Sequence, residues 1–429
     1  MSYHAKVSQY GTAFMILNQY SVITVMTMII RIKKSDINIL LALIFALLSC
    51  VSYMISTMIP TTLWKIMNYF CLGCTDGLCL IYVFSHIQRK TLYRKLTALV
   101  ILFVIYEYYV SFSTKSFVFP NAIGDLLTWP LLLITMYYYA RGTKNPIGFR
   151  RIIFYFSIFI YLVSIPCISL RSGTSVFSVY YCISILPLIY LFSSKRTSIM
   201  CSLISAILII LTSKRASFLI LVLGIGLCYL VLIHNEKSSR KRIIRTTVCI
   251  LIAIFAVIFI QYAMDNLDIP ILNRLSSIST DGGSGRVDIW RYLIKKFQAS
   301  STTEKVFGHG FHSVLYKVKP LGHARFAHNS YLETLYDYGI VGAAMLIAIS
   351  IGLVVATLKM TLRKSKYAPV MVFTVVEMMI LSMVSYFYEQ SVIIVPISIV
   401  WGICLGLHER EEAMNINNRN RVVDQNSWR

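Results

Sequence analysis

Charged residues are scarce in this 429-residue chain: Asp, Glu, Lys and Arg make up 14% of it, against 57% hydrophobic residues. A water-soluble domain of this length carries about a quarter charged residues, so a soluble globule is excluded. Acidic residues are scarcest, 18 against 41 Lys and Arg, leaving a formal charge of +23. That surplus does not describe a nucleic-acid surface, because the basic residues fall in short clusters between apolar runs. The N-terminus lacks the basic start, short apolar core and small-residue cleavage site of a signal peptide, so the first apolar run is expected to be retained. Cysteine is missing from the largest polar loop, which excludes a disulfide framework there. The ten cysteines lie in apolar stretches instead, and Cys71-x-x-Cys74 has no second pair to complete a zinc or redox site.

What the chain does have is a succession of apolar runs, most of them near the length that crosses a hydrocarbon layer of about 30 Å. They fall near 11–30, 37–58, 66–85, 96–110, 126–140, 152–170, 175–192, 197–212, 216–233, 246–262, 338–358, 368–387 and 392–407. The pattern predicts an all-α polytopic membrane bundle of 12–13 transmembrane helices. Its parts are ten spans in 1–262, a large loop over 263–337, three spans in 338–407 and a tail over 408–429. Basic clusters follow alternate spans, among them Arg89/Lys90/Arg94/Lys95, Lys237/Arg240/Lys241/Arg242/Arg245 and Lys359/Arg363/Lys364/Lys366. By the positive-inside rule the clusters and the tail lie in the cytoplasm and the large loop lies outside. Asp76, Glu107 and Glu377 sit in or near spans, where an unpaired charge costs about 2.5–3.5 kcal/mol. Each is expected to have a structural partner, with a hydrophilic path for a sugar chain as the alternative for Glu377.

The loop and its margins concentrate the reactive side chains. His328 and Asn329 stand together, nine residues follow, and Gly339 and Gly342 open an apolar run. Glycines there let a helix pack closely as it enters the membrane. His328 is thereby held at the lipid boundary, where a neutral imidazole takes a proton near pH 7. Asp281-Gly282-Gly283-Ser284-Gly285-Arg286 leads into a predicted helix over 287–298 with Trp290, Leu293, Ile294 and Phe297 as one apolar stripe, as in a segment lying on a membrane surface. Backbone N–H groups at that helix start, with Arg286, suit an anion; an ordinary structural turn is the plainer reading. Lys214 and Arg215 interrupt two spans on the outer side, where charge bias alone would not put them. They read either as a simple turn or as a contact to a lipid phosphate, for which the planar fork of Arg215 is the better fit. His309-x-x-His312, with His323 or His328, has some metal-ligand character but lacks a nearby carboxylate pair or cysteine set.

Together these features resemble the O-antigen polymerase and O-antigen ligase superfamily of bacterial membrane glycosyltransferases. The resemblance rests on Ser213-Lys214-Arg215-Ala216, Gly285-Arg286-x-x-x-x-Arg291, Gly308-His309-Gly310-Phe311, and His328-Asn329 with Gly339-x-x-Gly342, within 197–349. Members often carry Ser-Arg-Gly where this chain has Ser-Lys-Arg-Ala. The resemblance implies a multi-pass protein of the bacterial inner membrane whose active site faces the periplasm. It implies transfer of an undecaprenyl-diphosphate-linked oligosaccharide, with no metal, nucleotide or other cofactor. Arg215 and Arg286 would neutralise the diphosphate leaving group. His328 would act as general base on an acceptor sugar hydroxyl, with Asn329 orienting it or a nearby sugar. Lys214, Arg291 and His309 are further substrate-binding candidates.

Extension of another lipid-linked unit, a polymerase activity, is favoured because polymerases are the more diverse class. Attachment to lipid A core, a ligase activity, is the alternative. A lipid or glycan transporter fits less well, because the reactive residues collect in one loop rather than at broken helices in both halves. Expected partners are the lipid-linked oligosaccharide, membrane lipid and a chain-length regulator protein, and no nucleic acid.

Overall fold

A computed structural model describes residues 34–59, 61–86, 91–118, 121–143, 150–169, 179–212, 214–266, 285–318, 326–385, 387–388 and 390–427. The expected span at 11–30, the turn residues 281–284, Ser213 and His323 lie outside the described residues. Among the described residues there is no strand. An apolar segment in lipid must satisfy its own backbone N–H and C=O groups, and the helix does so within one segment.

The first helices are α1 (Lys34–Met58), α2 (Thr62–His86), α3 (Arg94–Ser113), the short α4 (Asn121–Leu126) and α5 (Thr128–Gly142). There follow α6 (Arg150–Ser169), α7 (Val179–Phe192), α8 (Lys195–Thr212), α9 (Arg215–His234) and α10 (Ser239–Asn266). The loop contributes α11 (Arg286–Ala299) and α12 (Thr302–Phe307), and the chain closes with α13 (Ser330–Leu362), α14 (Ala368–Val384) and α15 (Ser391–Ser427). Each apolar run predicted from residue 37 onward coincides with one of these helices. Seven of the described helices (α1, α2, α3, α8, α9, α13 and α15) are long and apolar enough to cross a membrane, and α7 and α14 are shorter apolar helices.

Two boundaries differ from the sequence expectation. The span expected to start at residue 338 is preceded by polar helical turns from Ser330, capped by Asn329 and covered by the loop rather than by lipid, and the break at Gly339 separates the two. The final helix runs past the expected end of its span at 407 to Ser427.

The centre of the bundle is α5, α7 and α15. The membrane-length window of α15 is wholly buried, whereas only 22% of the window of α8 is. Lipid supplies no hydrophobic drive between helices, so close backbone approach must hold them together. Gly402 and Gly406 of α15 provide it, lying against the Leu133 and Tyr137 carbonyls of α5, where any side chain would collide. Leu203, Ile207 and Leu211 of α8 and Leu223 and Leu230 of α9 are exposed, forming the apolar outer surface.

Asp76 and Glu377 have hydroxyl partners inside the bundle: Thr128 donates to Asp76 at 3.0 Å and Ser184 donates to Glu377 at 2.5 Å. At one end α15 continues into a polar clasp. Arg141 binds Glu409 at 2.7 Å, Tyr137 donates to the same carboxylate, and Ser365 donates to Glu411 at 2.8 Å. Arg363 pairs with Glu412 there as well. This is the basic end of the bundle, and the loop helices cover the opposite end.

Candidate functional site

Residues 327–330 form the hub of the loop end. Asn329 caps α13 by accepting the Leu332 N–H at 3.0 Å, and its amide donates to the Met383 carbonyl at the end of α14, 3.2 Å away. The Ser330 hydroxyl accepts the Phe387 N–H at 2.8 Å. The stretch is thus pinned to the end of α14 and to the connection that follows it. His328 immediately precedes the cap, half-buried, with a left-handed backbone (φ 52°). Such a conformation is uncommon for a residue with a side chain and is held only where neighbours fix it.

The loop helix α11 is fastened to the same point. The Trp290 indole N–H donates to the Ala327 carbonyl at 2.8 Å, next to His328. Leu293 packs with Val314, Ala327 and Tyr336, and Phe297 lies against that cluster. The stripe containing Trp290, Leu293 and Phe297 therefore faces the start of α13, while Ile294 and Val287 remain exposed. Arg286 is the first residue of α11, after Gly285 in left-handed conformation (φ 77°). It stands one helical turn before Trp290, on the same face, so the two Cβ atoms are about 6 Å apart. Its guanidinium also acts electrostatically on Tyr180, in the first turn of α7.

Arg215 arrives from a third direction. It opens α9, with Lys214 extended at the cap position, and both are half-buried. Cys228 of α9 donates to the Pro369 carbonyl and Gly224 abuts the Phe373 ring, which sets α9 antiparallel to α14. Continued along the pair, that register puts Arg215 level with Ser382, one residue from the Met383 carbonyl that holds Asn329. His328, Arg286, Arg215 and Lys214 are therefore brought to one end of the bundle around the end of α14.

The other candidates are placed differently. His309 has both ring nitrogens engaged, Nδ1 with the Tyr336 carbonyl at 3.0 Å and Nε2 with the Ser300 hydroxyl at 3.0 Å. A carbonyl only accepts, so Nδ1 carries a proton. The ring is stacked on Tyr336 at 4.0 Å, and His309 pins the loop to α13. Arg291 is exposed and pairs with Asp288 at 3.2 Å. With Trp290, Ile294 and Lys295 it lines an open groove of about 450 Å³ on the outer side of α11. Among the described residues no three His, Cys, Asp or Glu side chains stand close enough to share a metal ion. His312 is instead stacked on Phe311 at 3.7 Å, with Nε2 3.7 Å from Asp125.

The depth of the site is set by a backbone crossing. The N–H groups of His309 and Gly310 donate to the carbonyls of Tyr336 and Asp337, at 3.2 and 2.7 Å. Gly308 (φ 91°) and Gly339 (φ 67°) let the two chains touch; a Cβ on Gly339 would collide with the Val306 carbonyl. Gly339 breaks the helical geometry of α13, so its first turns, with His328 ahead of them, are angled against the membrane part. Sequence reasoning missed Glu333, fully buried, and Asp337, whose Oδ1 accepts the Val314 N–H at 3.0 Å. Their i, i+4 spacing on the face turned inward was the available signal. On α12 the Glu304 carboxyl is held below the usual carboxylate range, chiefly by the Ser301 hydroxyl and then the Ser301 N–H, in a capping box.

Apolar helices forming the bundle, with polar and charged groups collected at one end beneath a helical loop, define a polytopic all-α membrane protein. Residues 200–347, from α8 into the membrane part of α13, match the family model described as O-antigen ligase. That stretch is thus similar to the O-antigen polymerase and ligase superfamily, whose members are membrane enzymes. No curated protein matches the chain.

Proposed function

We propose that the chain is a surface-polysaccharide polymerase of the bacterial inner membrane, acting on undecaprenyl-diphosphate-linked glycan at the periplasmic face. The observation that carries this reading is the Trp290–Ala327 bond, because it brings the helix begun by Arg286 against His328. An acceptor sugar hydroxyl attacks the anomeric carbon of the donor glycan. The bond from that carbon to the diphosphate oxygen breaks, and the hydroxyl proton passes to the His328 imidazole. Undecaprenyl diphosphate leaves with its added charge against Arg286 and Arg215, with Lys214 beside them. Two guanidiniums supply the positive charge that a divalent cation supplies elsewhere, which makes the reaction metal-independent. Asn329 fixes the position of His328 through the α13 cap, and His309 fixes the loop. Arg291 and the groove beside Trp290 offer cationic and aromatic surface to the glycan.

Attachment of the glycan to lipid A core uses the same chemistry, and the ligase description of the matched family favours it as the second reading. Purified protein reconstituted with a defined lipid-linked repeat unit separates them. A polymerase yields products longer than one unit; no elongation, with transfer onto lipid A core, identifies a ligase. His328→Ala and Arg286→Ala should each lower transfer by at least about a hundredfold at unchanged protein levels. Retention of transfer in both variants would remove them from the chemistry.

A further inference from the structure

A second recess lies far from the loop, between α3 and α13 at the basic end of the bundle. Leu96 sits over Gly352 and Tyr106 against Gly342, which sets these two helices antiparallel. Near their basic ends small residues on α13 open a groove of about 280 Å³. Its apolar wall is Leu96 with Gly352 and Ala356, and Lys95 and Lys359 both line it. Leu92, Val355 and Leu358 around it are exposed, so the groove opens on the lipid-facing surface.

Two features distinguish this groove from a packing defect. Most basic residues of the neighbouring clasp have acidic partners on α15, as Arg141, Arg363 and Lys366 do. Lys95 and Lys359 pair with no acid among the described residues, and they face the same cleft. The Tyr93 ring closes the inner wall of the groove, packed against Tyr137 and His408. An apolar channel with two ammonium groups at its polar end matches one ligand chemistry, a phosphate carrying hydrocarbon chains.

We propose that this groove holds an anionic diacyl phospholipid from the leaflet at the basic end. Its phosphate lies between Lys95 and Lys359, and one acyl chain runs along Gly352 and Ala356. A lysine close to a lipid phosphate gains attraction that water screens only partly at the interface. The groove lies at the opposite end from Arg215 and Arg286, which separates this lipid from a diphosphate-linked donor.

Native mass spectrometry of the full-length protein in detergent tests the assignment, with added phosphatidylglycerol or phosphatidylcholine of the same acyl chains. The wild type should retain one phosphatidylglycerol and no phosphatidylcholine, and its unfolding temperature should rise with the former only. In the Lys95→Gln/Lys359→Gln variant, retention should weaken by about thirtyfold. Gly352→Leu, which fills the groove, should abolish retention while Lys95 and Lys359 remain. Unfolding temperatures in lipid-free detergent establish that both variants are folded. Equal phosphatidylglycerol retention by wild type and the lysine variant would overturn the proposal. So would equal retention of both lipids, an isoprenyl phosphate co-purifying in place of a phospholipid, or a dimer closed over this face. The readout does not involve glycan transfer, so it stands or falls apart from the catalytic reading.

Discussion

The Trp290 indole and the Ala327 carbonyl belong to separate parts of the loop, and in the proposed reaction their bond positions Arg286 relative to His328. Trp290→Phe keeps an aromatic ring beside Leu293 but removes the only N–H donor of the side chain. Ala327 is fully buried, so its carbonyl would lose a partner that water cannot easily replace, at a cost of about 1–3 kcal/mol. We expect transfer to fall by about tenfold to a hundredfold while the folded protein persists, because misplacement of about 1 Å is enough to slow a positioned reaction. Comparing kcat with KM for the lipid-linked donor checks this: an unchanged kcat would mean that the bond holds the loop without positioning the chemistry. At this scale the sequence was informative about residue type and less so about geometry. His328 and Asn329 stood out by adjacency and by their distance from Gly339. That Asn329 is committed to a helix cap and to the Met383 carbonyl depends on α14, which no spacing within the loop reports. His312 looked like half of a ligand pair, yet it is stacked on its neighbour Phe311 and lies against Phe326 and Asp125, of which Asp125 is brought there by folding alone.

The apolar runs were legible as helices because lipid imposes one backbone solution. The turns of α13 ahead of the break at Gly339 were not, because they are polar and are buried by protein. The element that settles its depth is the crossing of the 308–310 strand of chain over 336–339, and Gly339 is the residue without which it cannot close. Gly339→Ala places a methyl group against the Val306 carbonyl at a positive φ, a strain of about 1–3 kcal/mol before any clash. Thermal unfolding in detergent should show a clear loss, and limited proteolysis should cut within 300–318 first. Unchanged unfolding and protection would mean that the crossing is not what holds the loop down. The short α12 beside it carries an acid-sensitive contact. Glu304 is lowered by its Ser301 bonds, so that contribution is present above the ordinary carboxylate range and is lost as pH falls through the lowered folded value. Glu304→Gln should flatten the acid limb of loop protection measured by hydrogen exchange, and an identical pH profile in the variant would show that the capping box contributes nothing. The effect is small because the group is exposed.

Across the whole molecule, the two ends are distinguished by charge chemistry. The alternation of Lys and Arg clusters identified the basic end from sequence alone, but not what binds those clusters together. The acidic residues that do so, Glu409, Glu411 and Glu412, lie on the continuation of α15, in a stretch that looks like an ordinary polar tail. Helical continuity past the span carries them over α5 and the α13–α14 turn, which is a property of the assembled bundle. Glu409 is the central one: it binds Arg141 and accepts from Tyr137, with its side chain only 12% exposed. Glu409→Gln removes the charge yet keeps a hydrogen-bonding group, leaving Arg141 partly buried beside a neutral amide. The expected cost is about 1–3 kcal/mol, below that of breaking a fully buried pair because Arg141 retains access to water. Arg141→Gln should cost a similar amount, and the double variant less than the two together, since neither charge is then stranded. Unfolding of the four proteins in one detergent measures that coupling, and simple additivity would show that Arg141 and Glu409 do not act as a pair. The loop end lies about 30 Å away across the hydrocarbon layer, so folded Glu409→Gln protein should transfer glycan at the wild-type rate per molecule.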